Sequence, residues 1–288
     1  MKYSIDCLPC LLQQAVRTAK KYLADEADQI RLVKEVMGII AVSDNNVSAP
    51  YIAYKIQAAL TRALNNPDPF WDSKKYYNQE MLKLENEMID LCRSYEDSFI
   101  AGFKLAVAGN IIDFGPGYEL SKDKVLDCIR ETLEKDYPKD TMRSLQSALE
   151  GAKTLLYLGD NAGEIVLDKI FIATIKEYYP GLKIYFATRG EPVLNDVTEE
   201  DAYMVGMDKI AKIINNGTGI PGTILEYSSP YFQKIFAEAD VVISKGQGNF
   251  ESLYKNGKDQ LYYIFLCKCS LFMERLGAKQ HDLILLKE

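Results

Sequence analysis

Apolar residues in the first half of the chain recur at the spacing of one helix face. Leu8, Leu11, Leu12, Ala15, Val16, Ala19 and Tyr22 follow the i, i+3, i+4, i+7 pattern, and Pro9 falls in the first turn, where its missing N–H costs nothing. The same periodicity predicts helices near 27–41, 50–64, 74–93, 95–108, 122–134 and 139–151. Breaks are expected at Asn45-Asn46, Asn66-Pro67-Asp68-Pro69 and Gly115-Pro116-Gly117, whose residues favour turns. After Gly151 the pattern changes. Short apolar runs at 154–158, 182–187, 212–214, 241–244, 262–266 and 282–286 alternate with amphipathic stretches at 163–179, 199–206 and 230–238, which predicts βαβ units and a mainly parallel sheet. Thr198, with Asp201 three residues on, reads as a variant capping box opening the 199–206 helix.

Composition then narrows the chemistry. With 288 residues and 48% of them hydrophobic, the chain can bury a substantial core. A formal charge of -7 and no long Lys/Arg run argue against binding duplex nucleic acid, whose affinity rests on cationic contacts to phosphates. There is no apolar signal core and no run near 18 apolar residues, so the expected location is the cytoplasm, with no membrane partner. The single histidine, His281, excludes sites built from several imidazoles, zincins among them. An enzyme with this composition must work through carboxylates, amides, lysines or a metal. The 19 tyrosines and 11 phenylalanines suit a core or a subunit interface, so an oligomer is allowed.

In an open parallel sheet, ligands bind beyond the carboxyl ends of the strands, and there the polar segments collect. The first predicted strand is followed by Gly159-Asp160-Asn161-Ala162-Gly163-Glu164, the second by Arg189-Gly190-Glu191-Pro192-Val193-Leu194-Asn195-Asp196. The fourth leads into Lys245-Gly246-Gln247-Gly248-Asn249, and the fifth into Cys267, Lys268 and Cys269. Each segment alone also reads as an ordinary turn or cap; together they place hard oxygen donors on one rim. Asp160, Asn161 and Asp196 suit Mg²⁺ or Mn²⁺ with positions left for water and phosphate. Lys245 among glycines can meet a phosphate as a point charge while N–H groups of Gly246 and its neighbours approach. Glu164 either takes part in the chemistry or only complements a helix dipole.

The six cysteines are expected as thiols or metal ligands rather than a disulfide framework. Cys7 and Cys10 sit one turn apart at a helix start, where the dipole would lower the thiol pKa. If the N-terminus folds over the sheet rim, Cys269 can join them, with Cys267 or water as a fourth ligand. A second metal, a Cys7–Cys10 disulfide and free thiols are the three readings. Cys92 and Cys128 read as core residues.

Taken in order, these segments resemble the damage-control phosphatase family, metal-dependent phosphatases also known as domain of unknown function 89. The resemblance adds Asp6-Cys7-Leu8-Pro9-Cys10, Gly109-Asn110-Ile111-Ile112-Asp113-Phe114, Ser244 to Glu251 and Lys268-Cys269, and its Cys-x-x-Cys matches the prokaryotic stand-alone branch. It implies an α/β fold, with a helical N-terminal region (1–150) packed on a Rossmann-like three-layer domain (151–288). It also implies hydrolysis of small phosphorylated metabolites, sugar phosphates or phosphopantetheine-like compounds, with Mg, Mn, Co or Ni. The family's metal ligands fall on Asp160, Asn161 and Asp196, its phosphate-contacting lysine on Lys245 with Gly246 and Asn249 beside it, and Asn110 at the pocket edge. Either Asp160 or Glu164 would deprotonate the attacking water. Two alternatives stand beside this reading: an S-adenosylmethionine-dependent methyltransferase, and a thiolate-metal or redox module built on Cys7, Cys10 and Cys269.

Overall fold

The computed structural model describes residues 1–109 and 121–288, so Asn110 and the predicted break at Gly115-Pro116-Gly117 lie outside the described residues. Seven helices come first: α1 (Cys7–Tyr22), α2 (Glu26–Ala41), α3 (Ala49–Leu64), α4 (Trp71–Arg93), α5 (Ser98–Ala108), α6 (Lys122–Glu134) and α7 (Lys139–Gly151). Local chemistry sets several of their ends. Asn65 takes a left-handed conformation, φ 47°, as α3 stops. The Asp97 carboxylate caps α5 by accepting the N–H of Ile100 at 3.0 Å, so this helix begins three residues later than periodicity predicts.

The second part alternates strands and helices: β1 (Thr154–Leu158), α8 (Glu164–Tyr178), β2 (Lys183–Thr188), α9 (Glu199–Met204), β3 (Lys212–Asn215), α10 (Pro230–Glu238), β4 (Val241–Lys245), α11 (Gln247–Leu253), β5 (Leu261–Leu266), α12 (Ser270–Leu276) and β6 (Leu283–Lys287). The six strands form one sheet in the order β3-β2-β1-β4-β5-β6, parallel except for β6, which runs antiparallel beside β5. The expected capping box opens α9, with the Thr198 N–H donating to Asp201 Oδ2 at 2.9 Å. That helix stops at Met204, before the left-handed Gly206. Helices α11 and α12 were not predicted; at seven residues each they are too short to display a period.

Alternate residues of the strands feed two cores, which makes three layers. Leu155, Tyr157, Phe186, Ile243 and Ile264 pack with α4–α8 on one face. Leu156, Tyr185, Val242, Tyr263 and Phe265 pack with α10–α12 on the other. Helix α5, buried along its whole length, lies against α8, and a side chain at Gly102 would stand 3.2 Å from the Phe171 ring. Helices α1–α3 hold a separate cluster around Leu11, Val36, Ile52 and Leu60. The helical first half therefore divides in its packing: α4–α7 belong to the core of the sheet, whereas α1–α3 stand over its rim. Among the described residues, no helix is long and apolar enough to cross a membrane.

Candidate functional site

Strand order reverses between β1, whose chain continues to β2 on one side, and β4 on the other. Such a switch point opens a crevice at the strand ends. Its first wall is the loop after β1. The Gly159 N–H donates to Ala187 O at 2.9 Å, and a β-carbon at 159 would crowd Phe186 at 2.6 Å. Asp160 and Asn161 follow, and the chain zips onto the loop after β2. The Ala162 N–H donates to Asn195 O and the Val197 N–H to Asp160 O, both at 2.9 Å, around an isolated bridge between Asn161 and Asp196. Three polar residues from two loops are thereby brought side by side.

Asn161 Nδ2 donates to Asp160 Oδ2 at 2.7 Å and to Glu164 Oε2 at 3.2 Å. Both of these bonds leave from the amide nitrogen. Burial raises the Asp160 pKa well above the usual carboxylate range, with the charges of Glu164 and Asp196 adding to the rise and Arg189 and Lys245 opposing it. Asp196 is raised as well, by burial first, against the pull of Arg189. The ionised carboxylates are thus disfavoured where water screens them poorly, and a divalent cation would favour them. Among the described residues no group of three or more His, Cys, Asp or Glu is close enough to hold a metal alone. The donor set here is mixed: two carboxylates and an amide, the hard oxygens that Mg²⁺ and Mn²⁺ take.

Lys245 lies beneath this set, not in the crevice. Wholly buried, its ammonium donates to Ala106 O at 2.8 Å, to Asp168 Oδ1 at 2.7 Å and to Glu164 Oε1. All three protons are committed to protein acceptors. Tyr157 Oη donates to the same Asp168 oxygen at 2.6 Å. Asn249 is a buried tie: its Nδ2 donates to Lys245 O at 2.7 Å and Gly159 O at 3.3 Å, and its Oδ1 accepts from Thr223 Oγ1 at 2.8 Å. Gly246 has φ 81°, and a β-carbon there would overlap the Asp160 carboxylate. Arg189 and Asp168 had no role assigned from sequence. The only signals were a lone Arg-Gly directly after a strand and an acid one helical turn beyond Glu164.

Above the carboxylates opens a cleft of about 610 Å³, whose opposite wall is the start of α1 and α3. Asp160, Asn161 and Asp196 line it, as do Cys7, Cys10 and Cys269, so residues from both ends of the chain meet there. The thiols are free. The dipole expectation for Cys7 is corrected: burial dominates and pushes its thiol up, while the Ser4 N–H, donating at 3.4 Å, acts the other way. Among the described residues lining the cleft, Lys268 is the one cation, and it is exposed.

Residues 4–284 match the Damage-control phosphatase ARMT1-like domain. An uncharacterized protein of Methanocaldococcus jannaschii is 34% identical, over 100% of this chain and 96% of its own. A damage-control phosphatase of Pyrococcus horikoshii is 31% identical over 100% and 98%, and one of Archaeoglobus fulgidus 27% over 99% and 98%. The crystal structure of a domain-of-unknown-function-89 family protein of P. horikoshii superposes with a TM-score of 0.90 at 29% identity, covering 100% of this chain and 99% of that one. With its sheet order, crevice and ordered polar loops inside that match, the chain belongs to the damage-control phosphatase ARMT1-like family.

Proposed function

We propose that the protein is a metal-dependent phosphoric monoester hydrolase acting on small phosphorylated metabolites, sugar phosphates or phosphopantetheine-like compounds. The observation that carries this reading is the convergence of Asp160, Asn161 and Asp196 on the floor of a cleft whose one lining cation, among the described residues, is Lys268. A cleft of about 610 Å³ is of metabolite size.

Asp160, Asn161 Oδ1 and Asp196 would hold the divalent ion, Mg, Mn, Co or Ni. When bound, it supplies Lewis-acid polarisation of the phosphoryl oxygens. Asp160 lines the cleft with 13% of its side chain exposed, whereas Glu164 is enclosed and already accepts from Lys245 and Asn161. Asp160 is therefore the better placed base for the attacking water, with Glu164 orienting Asn161. As the water oxygen bonds to phosphorus, the ester P–O bond breaks, and the proton taken up by Asp160 is returned to the departing ester oxygen, so that the alcohol and inorganic phosphate leave. Lys268 meets the substrate's anionic groups at the mouth, while Lys245 offsets the charge of Glu164 and Asp168 from below. The helical region 1–150 supplies the wall facing the carboxylates, and 151–288 supplies the carboxylates themselves. Cys7, Cys10 and Cys269 line the same cleft as free thiols but do not form a group that could hold a metal by themselves, so they are proposed as a separate redox site. A cytoplasmic location agrees with reduced thiols.

The test is a screen of sugar phosphates, nucleotides and phosphopantetheine compounds with Mg²⁺, Mn²⁺, Co²⁺ and Ni²⁺, repeated after chelation and with Asp160→Ala. Metal-independent turnover, or wild-type turnover in the variant, would overturn the reading.

A further inference from the structure

Arg189 reaches from the end of β2 into the floor beneath the cleft, with 2% of its side chain exposed. Its three nitrogens address the segments that follow four strands. Nε donates to Asp196 Oδ2 at 2.7 Å, after β2. Nη1 donates to Asn249 Oδ1 at 3.2 Å, after β4, and to Thr223 Oγ1 at 3.4 Å, after β3. Nη2 stands 3.8 Å from Asp160 Oδ1, after β1, and has no hydrogen-bond partner among the described residues. The root of the side chain is held as well, because the Arg189 N–H donates to Val197 O at 2.9 Å.

We propose that Arg189 is the positioning residue of the site: its guanidinium sets the separation and orientation of Asp160 and Asp196, and the spare Nη2 closes on Asp160. The proposal rests on the reading of Asp160, Asn161 and Asp196 as the ligands of a divalent ion. A planar fork with fixed donor directions holds Asp196 and Asn249 at once and still presents a third nitrogen to Asp160; a lysine ammonium has no such fork. Partners behind metal ligands govern affinity through orientation. Charge alone predicts the reverse, since a cation beside a cation site repels the incoming ion and its removal would tighten binding. The two effects differ in sign, so the role can be measured.

The experiment is a calorimetric titration of the chelator-stripped full chain with Mn²⁺ alone, for wild type, R189K and R189M, with circular dichroism as the check on folding. Positioning predicts that both variants bind Mn²⁺ about 10–100-fold more weakly than wild type, with kcat recovering toward wild type at saturating Mn²⁺. Unchanged or tighter binding in either folded variant overturns the proposal. Should R189M fail to fold, R189K, which keeps the charge, decides alone. If wild type binds Mn²⁺ no better than Asp160→Asn, the metal reading falls and this proposal falls with it; equal binding by wild type and R189K removes only the role of Arg189.

Discussion

The Asp160 carboxylate occupies the space above the α-carbon of Gly246 in which any other residue would place its β-carbon. The two stand at the ends of β1 and β4, neighbours in the sheet yet far apart in the chain. Gly246→Ala would add a methyl group against Asp160 and force a side chain into φ 81°, ψ 158°, a region almost confined to glycine that costs about 1–3 kcal/mol. The expected outcome is a folded protein, a few degrees less stable, whose kcat falls about 100-fold because the carboxylate is displaced. Steady-state kinetics and a thermal melt check it; wild-type kcat would show that the Asp160 position is not critical.

Lys245 balances Glu164 and Asp168 in a fully enclosed place. Removing one member of such a cluster leaves buried charge without a partner, at a cost of about 3–5 kcal/mol. Lys245→Met should lose stability on that scale in urea unfolding, with activity lost only in proportion to the unfolded fraction or to a shift of Glu164. A stable Lys245→Met protein with a raised KM alone would instead place Lys245 on the substrate.

Lys268 is exposed at the cleft, so its replacement should disturb the fold little. A charge-assisted hydrogen bond to a phosphate contributes about 1.5–3 kcal/mol, so Lys268→Ala should raise KM at least tenfold while the melting temperature and Mn²⁺ affinity stay unchanged. An unaltered KM across the responsive substrates would remove Lys268 from recognition.

Ionised Asp160 is disfavoured by burial first and then by the charges of Glu164 and Asp196, which Arg189 and Lys245 oppose. Asp160→Asn preserves shape and removes one charge, so in the presence of chelator this variant should melt above wild type by a few degrees, while hydrolysis with added metal is lost. The order reverses when Mn²⁺ is added, because only wild type gains binding energy. A variant less stable than wild type in chelator would show that the repulsion is already compensated.

Much of this arrangement was legible before any fold was known. The i, i+3, i+4 spacing located the helices of the first half, and the apolar runs located all six strands, because burial of one face or of both imposes those periods. Gly159 to Glu164 and the Lys245 loop stood out since Gly and Asn next to a strand end mark a turn that carries chemistry. Arg189, Asp168 and the depth of Lys245 did not stand out. A cation among glycines looks the same in sequence whether it faces a ligand or three protein acceptors, and only packing distinguishes them.

The elements, the acidic balance, the lack of imidazoles and the family resemblance of the ordered loops are all readable along the unfolded chain. These are properties of local composition and period, which a chain carries without folding. Tertiary structure alone decided that strand order reverses between β1 and β4, that β6 pairs antiparallel, that Cys7, Cys10 and Cys269 share a cleft with Asp160, and that Lys245 lies below the site while Lys268 lines it. Each of these depends on which distant segments exclude water together, and a side chain's charge becomes chemistry only once its neighbours and its access to solvent are set.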